Sequence, residues 1–169
     1  MSVDFVRWVP AEAGELADLL AGEDWPFHTG GRPDRDTVLE RAAAGHYDGP
    51  GARTFWVVEA GERVGMLRLE DLDDSTPLFD LRLRAAARGR GLGGAAVAWL
   101  TGYLFTELPG ITRIEATTRD DNAAMRRVLE RAGWTQEARY RKAWPVPGGP
   151  PRDSIGYAIL REEWVPPGS

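Results

Sequence analysis

The chain has 169 residues, 43% of them hydrophobic, enough for one globular domain with a buried core. A formal charge of −5 and a pI near 5.1 argue against a general binder of nucleic acid or anionic membranes, whose footprint is basic. There is no cysteine and there are only two histidines, His28 and His46, which excludes disulfides, thiolate metal sites, cysteine nucleophiles and histidine metal clusters.

The opening MSVDFVRWVP lacks a basic stretch followed by an apolar one, so no secretory leader is expected. No apolar run approaches the ~20 residues of a membrane span, and a cytoplasmic protein is the expectation. Val3 to Val9 reads as a strand. Pro10 to Ala21 reads as an amphipathic helix with Leu16, Leu19 and Leu20 on one face and proline near its start. WPFHTGGRPD, Trp25 to Asp34, is a loop, after which Asp34 or Asp36 caps a short helix carrying Val38 and Leu39. The period then changes to that of strands: Arg53 to Ala60, Arg63 to Leu72 and Leu78 to Leu83, the last expected antiparallel to its neighbours. Leu92 to Leu108 is a long helix stopped by Pro109 and Gly110. Ile111 to Thr118 is a strand, Asn122 to Ala132 a helix with Gly133 at its end, and Thr135 to Trp144 and Ser154 to Leu160 are strands joined by PVPGGPP. No repeat interrupts this order, which describes an α/β or α+β domain with one strand–loop–helix–strand unit at its centre.

That central loop, Arg88-Gly89-Arg90-Gly91-Leu92-Gly93-Gly94, sets glycines among arginines at the start of a helix. Free N–H groups and the helix dipole make such a place an anion site, glycine lets a diphosphate approach the backbone, and arginine adds forked donors. A GxxxxGK[ST] phosphate loop is absent. Gly91-Leu92-Gly93-Gly94-Ala95-Ala96 satisfies the dinucleotide pattern G-x-G-x-x-A, with Glu115 at a fitting distance. Its position after a meander leaves no room for a doubly wound sheet.

Arg88 to Gly93 also matches R/Q-x-x-G-x-G/A, and Asn122-Ala123-Ala124-Met125-Arg126-Arg127-Val128-Leu129-Glu130-Arg131-Ala132-Gly133-Trp134 matches a second signature, N-x-x-A/S ending in G-F, with Trp134 in place of phenylalanine. In these two runs and their order the chain resembles the GNAT N-acetyltransferase superfamily. The ending DSIGYAILREEW resembles the branch of the ribosomal-protein N-terminal acetyltransferases. The resemblance spans nearly the whole chain and is weakest before Arg53. It implies a single N-acetyltransferase domain over residues 1–169, with a mixed central sheet of about six to seven strands flanked by about four helices.

The resemblance further implies acetyl-CoA as acetyl donor. Leu81, Arg82 and Leu83 then offer backbone groups to its pantetheine arm, and Gly89, Arg90, Gly91, Leu92, Gly93 and Gly94 offer N–H groups to its pyrophosphate. Arg88 heads that motif, Arg90 is in reach of a phosphate, and Asn122 contacts the cofactor or an ordered water while also serving as a helix cap. The implied chemistry is direct attack of a neutral amine on the thioester, with a strand N–H holding the oxyanion. Many members carry a tyrosine that protonates the leaving thiolate, and here that position is Leu129. For the general base the candidates are Glu115, Asp80 and Glu70, each equally suited to an ion pair with Arg82, Arg113 or another neighbour, with His28 in DWPFHTG as a further candidate. Trp25, Phe27 and Trp144 are placed to line an acceptor site, and the acidic run Glu70 to Asp74 suits either a cationic acceptor or a solvated turn. The expected acceptor is a small-molecule amine or, alternatively, a peptide N-terminus, with no nucleic-acid or membrane partner and a monomer or homodimer as the working form. A module that binds acyl-CoA without turnover is the reading from another class.

Overall fold

The computed structural model describes residues 2–169. In chain order it runs β1 (Val3–Arg7), a 3-10 turn (Pro10–Glu12), α1 (Ala13–Ala21), α2 (Arg35–Ala43), β2 (Arg53–Glu59), β3 (Glu62–Glu70) and β4 (Leu78–Leu83). A second 3-10 turn (Ala85–Ala87) leads into α3 (Leu92–Glu107), followed by β5 (Arg113–Arg119), α4 (Ala123–Arg131), β6 (Thr135–Trp144), β7 (Arg152–Leu160) and a last turn (Arg161–Glu163). The expected order of elements holds, and the differences lie at ends. The first strand stops at Arg7 and the first helix opens as a 3-10 turn because Pro10 lies between them. β5 begins two residues late because Ile111 N–H is turned back onto Leu108 O after the Pro109-Gly110 stop.

The strands form two sheets, β1-β2-β3-β4 and β5-β7-β6, antiparallel throughout. β4 is antiparallel to β3, as expected, but runs parallel to β5 on its other side. Thr112 N–H donates to Ser75 O (3.2 Å) and Glu115 N–H to Pro77 O (3.0 Å), and past that point the two strands are unpaired. The sheets are therefore joined at the start of β4 and part toward its end, leaving an open wedge between them.

β2 and β3 are buried on both faces, which is why RTFWVVE and GMLRL are nearly continuous apolar runs. One face sends Phe55, Val57, Leu67 and Leu69 against α3 and α4, where Val97, Leu100, Leu104 and Leu129 pack. The other face sends Trp56 and Met66 against Leu16, Leu19, Trp25 and Val38 of the α1–α2 region. Gly65 is required where β3 approaches β4: a Cβ there would lie 2.3 Å from Arg82 O. Leaving the wedge empty while both sheet faces are covered gives β4 an outer edge that is neither paired nor buried by a helix.

Candidate active site

On that outer edge the residues alternate. Arg84 N–H donates to Val64 O of β3 (2.8 Å), so the even-numbered residues, Arg82 included, turn their backbone groups toward β3. Leu81 and Leu83 turn theirs into the wedge. Both of their carbonyls are already engaged: Leu81 O lies 3.0 Å from His28 Nε2, and Leu83 O accepts from Arg88 Nε at 3.0 Å. Beyond β4 the glycine loop takes left-handed turns at Gly89 (φ 73°) and at Gly91 (φ 83°), the residue that caps α3. The helix's first bond runs from Ala95 N–H to Gly91 O (3.1 Å), so the N–H groups of Leu92, Gly93 and Gly94 precede the ladder and face outward. A cavity of about 270 Å³ lies along this run, walled by Leu81, Leu83, Arg88, Gly89 and Gly91 to Gly94 on one side and by Trp25 to His28, Asn122, Met125 and Val128 on the other.

A second cavity, of about 480 Å³, occupies the mouth of the wedge. It shares Phe27, His28, Leu81, Asn122 and Met125 with the first, so the two meet end to end. Its lining is charged: Glu70, Asp80, Arg41, Arg68 and Arg82, with His46, Thr117 and Trp144 at its borders. The loop between α1 and α2 roofs the junction. Asp24 O accepts from Arg88 Nη2 (3.0 Å), Glu23 Oε2 from Ala85 N–H (3.1 Å), and Arg119 of β5 stacks on the Phe27 ring at 4.7 Å. One segment thus reaches both sides of the wedge.

The sequence profile of the acetyltransferase (GNAT) domain matches residues 3–135, more than three quarters of the chain. The chain belongs to the GNAT acetyltransferase family. It is an N-acetyltransferase whose donor is acetyl-CoA. Among solved structures it is similar to a spermidine N-acetyltransferase chimera of Vibrio cholerae and hSSAT parts, at TM-score 0.83 and 16% identity over 96% of this chain and 97% of that one. It is likewise similar to RimL, a ribosomal-protein alpha-N-acetyltransferase in complex with coenzyme A, at TM-score 0.80 and 15% identity over 95% and 94%. A third likeness is to a probable acetyltransferase, at TM-score 0.73 and 23% identity over 96% and 93%. No curated protein sequence matches the chain. The dinucleotide reading of the loop falls with the family match, since this GNAT loop follows an antiparallel meander and opens into a wedge rather than a doubly wound sheet.

Within the GNAT site, Leu81, Leu83, Arg88, Gly89, Gly91, Leu92, Gly93, Gly94 and Asn122 are brought together along the first cavity. Arg82 is beside it, with its backbone committed to β3 and its side chain to Asp80. Arg90 is turned away: it pairs with Glu59 at the end of β2 and donates to Ala86 O (3.4 Å). Asn122 is the cap of α4, its side chain accepting from Met125 N–H (3.3 Å) and donating to Thr118 Oγ1 (3.0 Å), and it also borders both cavities.

The three carboxylates separate. Glu115 on β5 is paired with Arg113 at 2.8 Å beside Glu137 and does not line either cavity. Asp80 and Glu70 both line the second cavity. Burial alone would raise Asp80, but the His28 hydrogen bond and the Arg82 charge outweigh it and bring its pKa down to about 2. Glu70 has the opposite balance. Burial pushes its carboxyl up, and Arg68 at 3.0 Å only partly offsets this. His28 points Nε2 at Leu81 O (3.0 Å) and Asp80 (3.2 Å), both acceptors, so Nε2 carries the proton, while Nδ1 is buried without a partner. No lone pair of His28 faces the cavity to receive a proton. Leu129 is fully buried in the core under α4. Trp25 and Phe27 wall the first cavity, and Phe27 and Trp144 the second. The sequence reading missed Arg41 and Arg68, which come from separate elements and carry no spacing signal.

Proposed function

We propose that this GNAT enzyme transfers acetyl directly from acetyl-CoA to a primary amine, foremost that of a small molecule, with residues 1–169 acting as one domain. The observation that carries this reading is the meeting of the two cavities at Leu81 and Asn122, one built for an anion and an extended apolar arm, the other lined with carboxylates. When bound, acetyl-CoA supplies an acetyl thioester at that meeting point.

In this reading the N–H groups from Gly89 to Gly94 and the positive end of α3 hold the pyrophosphate. Arg88 fixes the loop to the roof through Leu83 O and Asp24 O and presents its charge beside it. Leu83 and Leu81 align the arm along β4, and Leu81 N–H, facing the wedge, stabilises negative charge as it develops on the carbonyl oxygen. Glu70 is the general base: a carboxylate whose pKa burial raises is better matched to an amine proton than one held near 2. Asp80 is a fixed negative charge that holds His28 and Arg82 in place. The amine's lone pair forms the C–N bond, the C–S bond breaks with its electrons going to sulfur, and the amine proton passes to Glu70. No tyrosine serves the leaving thiolate, and none is needed, since a thiol pKa near 8.5 makes it a tolerable leaving group.

The roof over the junction, Trp25 to Thr29, supports a compact acceptor. The two named neighbours illustrate both classes, one named for spermidine and one for a protein N-terminus. We assign the reaction to the cytoplasm and the working form to a monomer or homodimer. Mass spectrometry of amines and N-terminal peptides after incubation with acetyl-CoA tests the reading. Acetylation of a small amine is expected, and acetylation of peptides alone would shift it to the protein class.

A further inference from the structure

The acceptor cavity does not follow the acidity of the whole chain. Three arginines, Arg41 of α2, Arg68 of β3 and Arg82 of β4, face two carboxylates, Glu70 and Asp80, an excess of one positive charge. Arg68 pairs with Glu70 (3.0 Å) and Arg82 with Asp80 (3.0 Å). Among the described residues, Arg41 has no carboxylate within ion-pairing distance. His46, at the same wall, is held down to about 4, first by partial desolvation and then by the charges of Arg68 and Arg41, so it is neutral near pH 7 and adds no charge of its own. Asp80 adjoins Leu81, where the amine reacts, and an ammonium arriving there leaves Arg41 still without a counter-charge. A second ammonium on the same molecule would meet that guanidinium.

We propose that the acceptor is a small amine that also bears an oxyanion, a carboxylate or a phosphonate, held by the Arg41 fork with Arg68 beside it, an inference that rests on the N-acetyltransferase reading above. Guanidinium suits either oxyanion through two parallel hydrogen bonds. A polyamine, with cationic groups at both ends, does not fit this wall.

The test compares kcat/KM, by coenzyme A release, for acceptors that share one amine: an amino acid, its primary amide, the diamine with an ammonium in place of the anion, and an aminoalkylphosphonate. N-terminal peptides with acidic and with neutral second residues complete the set. The anionic acceptors are expected to exceed the amide by at least about tenfold, the worth of one charge-assisted hydrogen bond. The better of the carboxylate and the phosphonate names the oxyanion. Arg41→Gln should bring the ratio to about one and Arg41→Lys should restore part of it. Arg41 is exposed and makes no ion pair, so both variants should fold. An amide or diamine used as well as the anionic acceptors overturns the inference and leaves the acetyltransferase reading intact, as does an equal loss for all acceptors in Arg41→Gln. An acidic peptide outrunning every small acceptor overturns the small-molecule part. Acetylation of none of them overturns both readings.

Discussion

The two cavities that meet at Leu81 are made of different material. The one we assign to the donor is backbone: strand edge, left-handed glycines and the first turn of α3, with apolar side chains as walls. The one we assign to the acceptor is side chain: arginines and carboxylates contributed by α2, β3 and β4, four of them paired within their own strands. A backbone site is set by the fold and tolerates change in most side chains, provided no Cβ enters it. A side-chain site keeps its shape when residues change and alters its chemistry with each one. Family members can therefore share the first and differ in the second.

The sharpest way to separate the two is to neutralise a charge in the cleft. Glu70→Gln should lower kcat by about 10²–10³-fold while leaving acetyl-CoA affinity unchanged. Because the Glu70 pKa is raised and the base must be ionised, the wild-type rate should climb with pH through a limb lying above the ordinary carboxylate range, and the variant should lose that limb. A pH–rate profile of both proteins checks it. The converse change adds a Cβ to the groove. Around Gly94 no atom beyond its own turn of α3 lies within 4 Å of a new Cβ, so Gly94→Val should leave the melting temperature nearly unchanged. It should nevertheless weaken acetyl-CoA binding by about 30- to 100-fold in a calorimetric titration, as the phosphates are held off their N–H donors.

A smaller effect falls on stability. Asp80 is held at about 2 against an ordinary 3.8, which favours the folded state by about 2 kcal/mol wherever the carboxyl is ionised. The pKa is lowered, so this contribution is complete above pH 4 and disappears as pH falls toward 2. Urea unfolding should show Asp80→Asn less stable by about that amount at pH 7, with the gap to wild type closing in acid. Least of all should come from Glu115→Gln. Its exposed pair with Arg113 should be worth under about 1 kcal/mol, and turnover should stay within about twofold of wild type.

The same contrast explains what could be read from the sequence. Periodicity and stop signals located every helix and strand to within a few residues, because Pro10, Pro109-Gly110 and Gly133 act locally. The groove was legible in Gly89 to Gly94 because left-handed turns leave a residue-type signature. The cleft was not. Glu115, Asp80 and Glu70 are alike in sequence, all strand carboxylates near an arginine. Only the pairing of β4 with β3 brings two of them to one cavity, while the third stays outside it beside Arg113. Arg90 appeared equal to Arg88, yet Glu59 at the end of β2, thirty-one positions earlier, draws it away. Arg41 sits in a short polar helix and becomes informative only beside Arg68.

The claim on which the rest depends is that donor and acceptor react directly where the two cavities join. Coenzyme A release from acetyl-CoA, followed with a thiol reagent, tests it most directly, because a chain without cysteine adds no thiol of its own. The expected result is release that requires an amine, matches the acetylated product in amount, and falls in Glu70→Gln without loss of acetyl-CoA binding. Tight acetyl-CoA binding with no release for any amine or peptide would contradict it and leave a chain that only binds the donor.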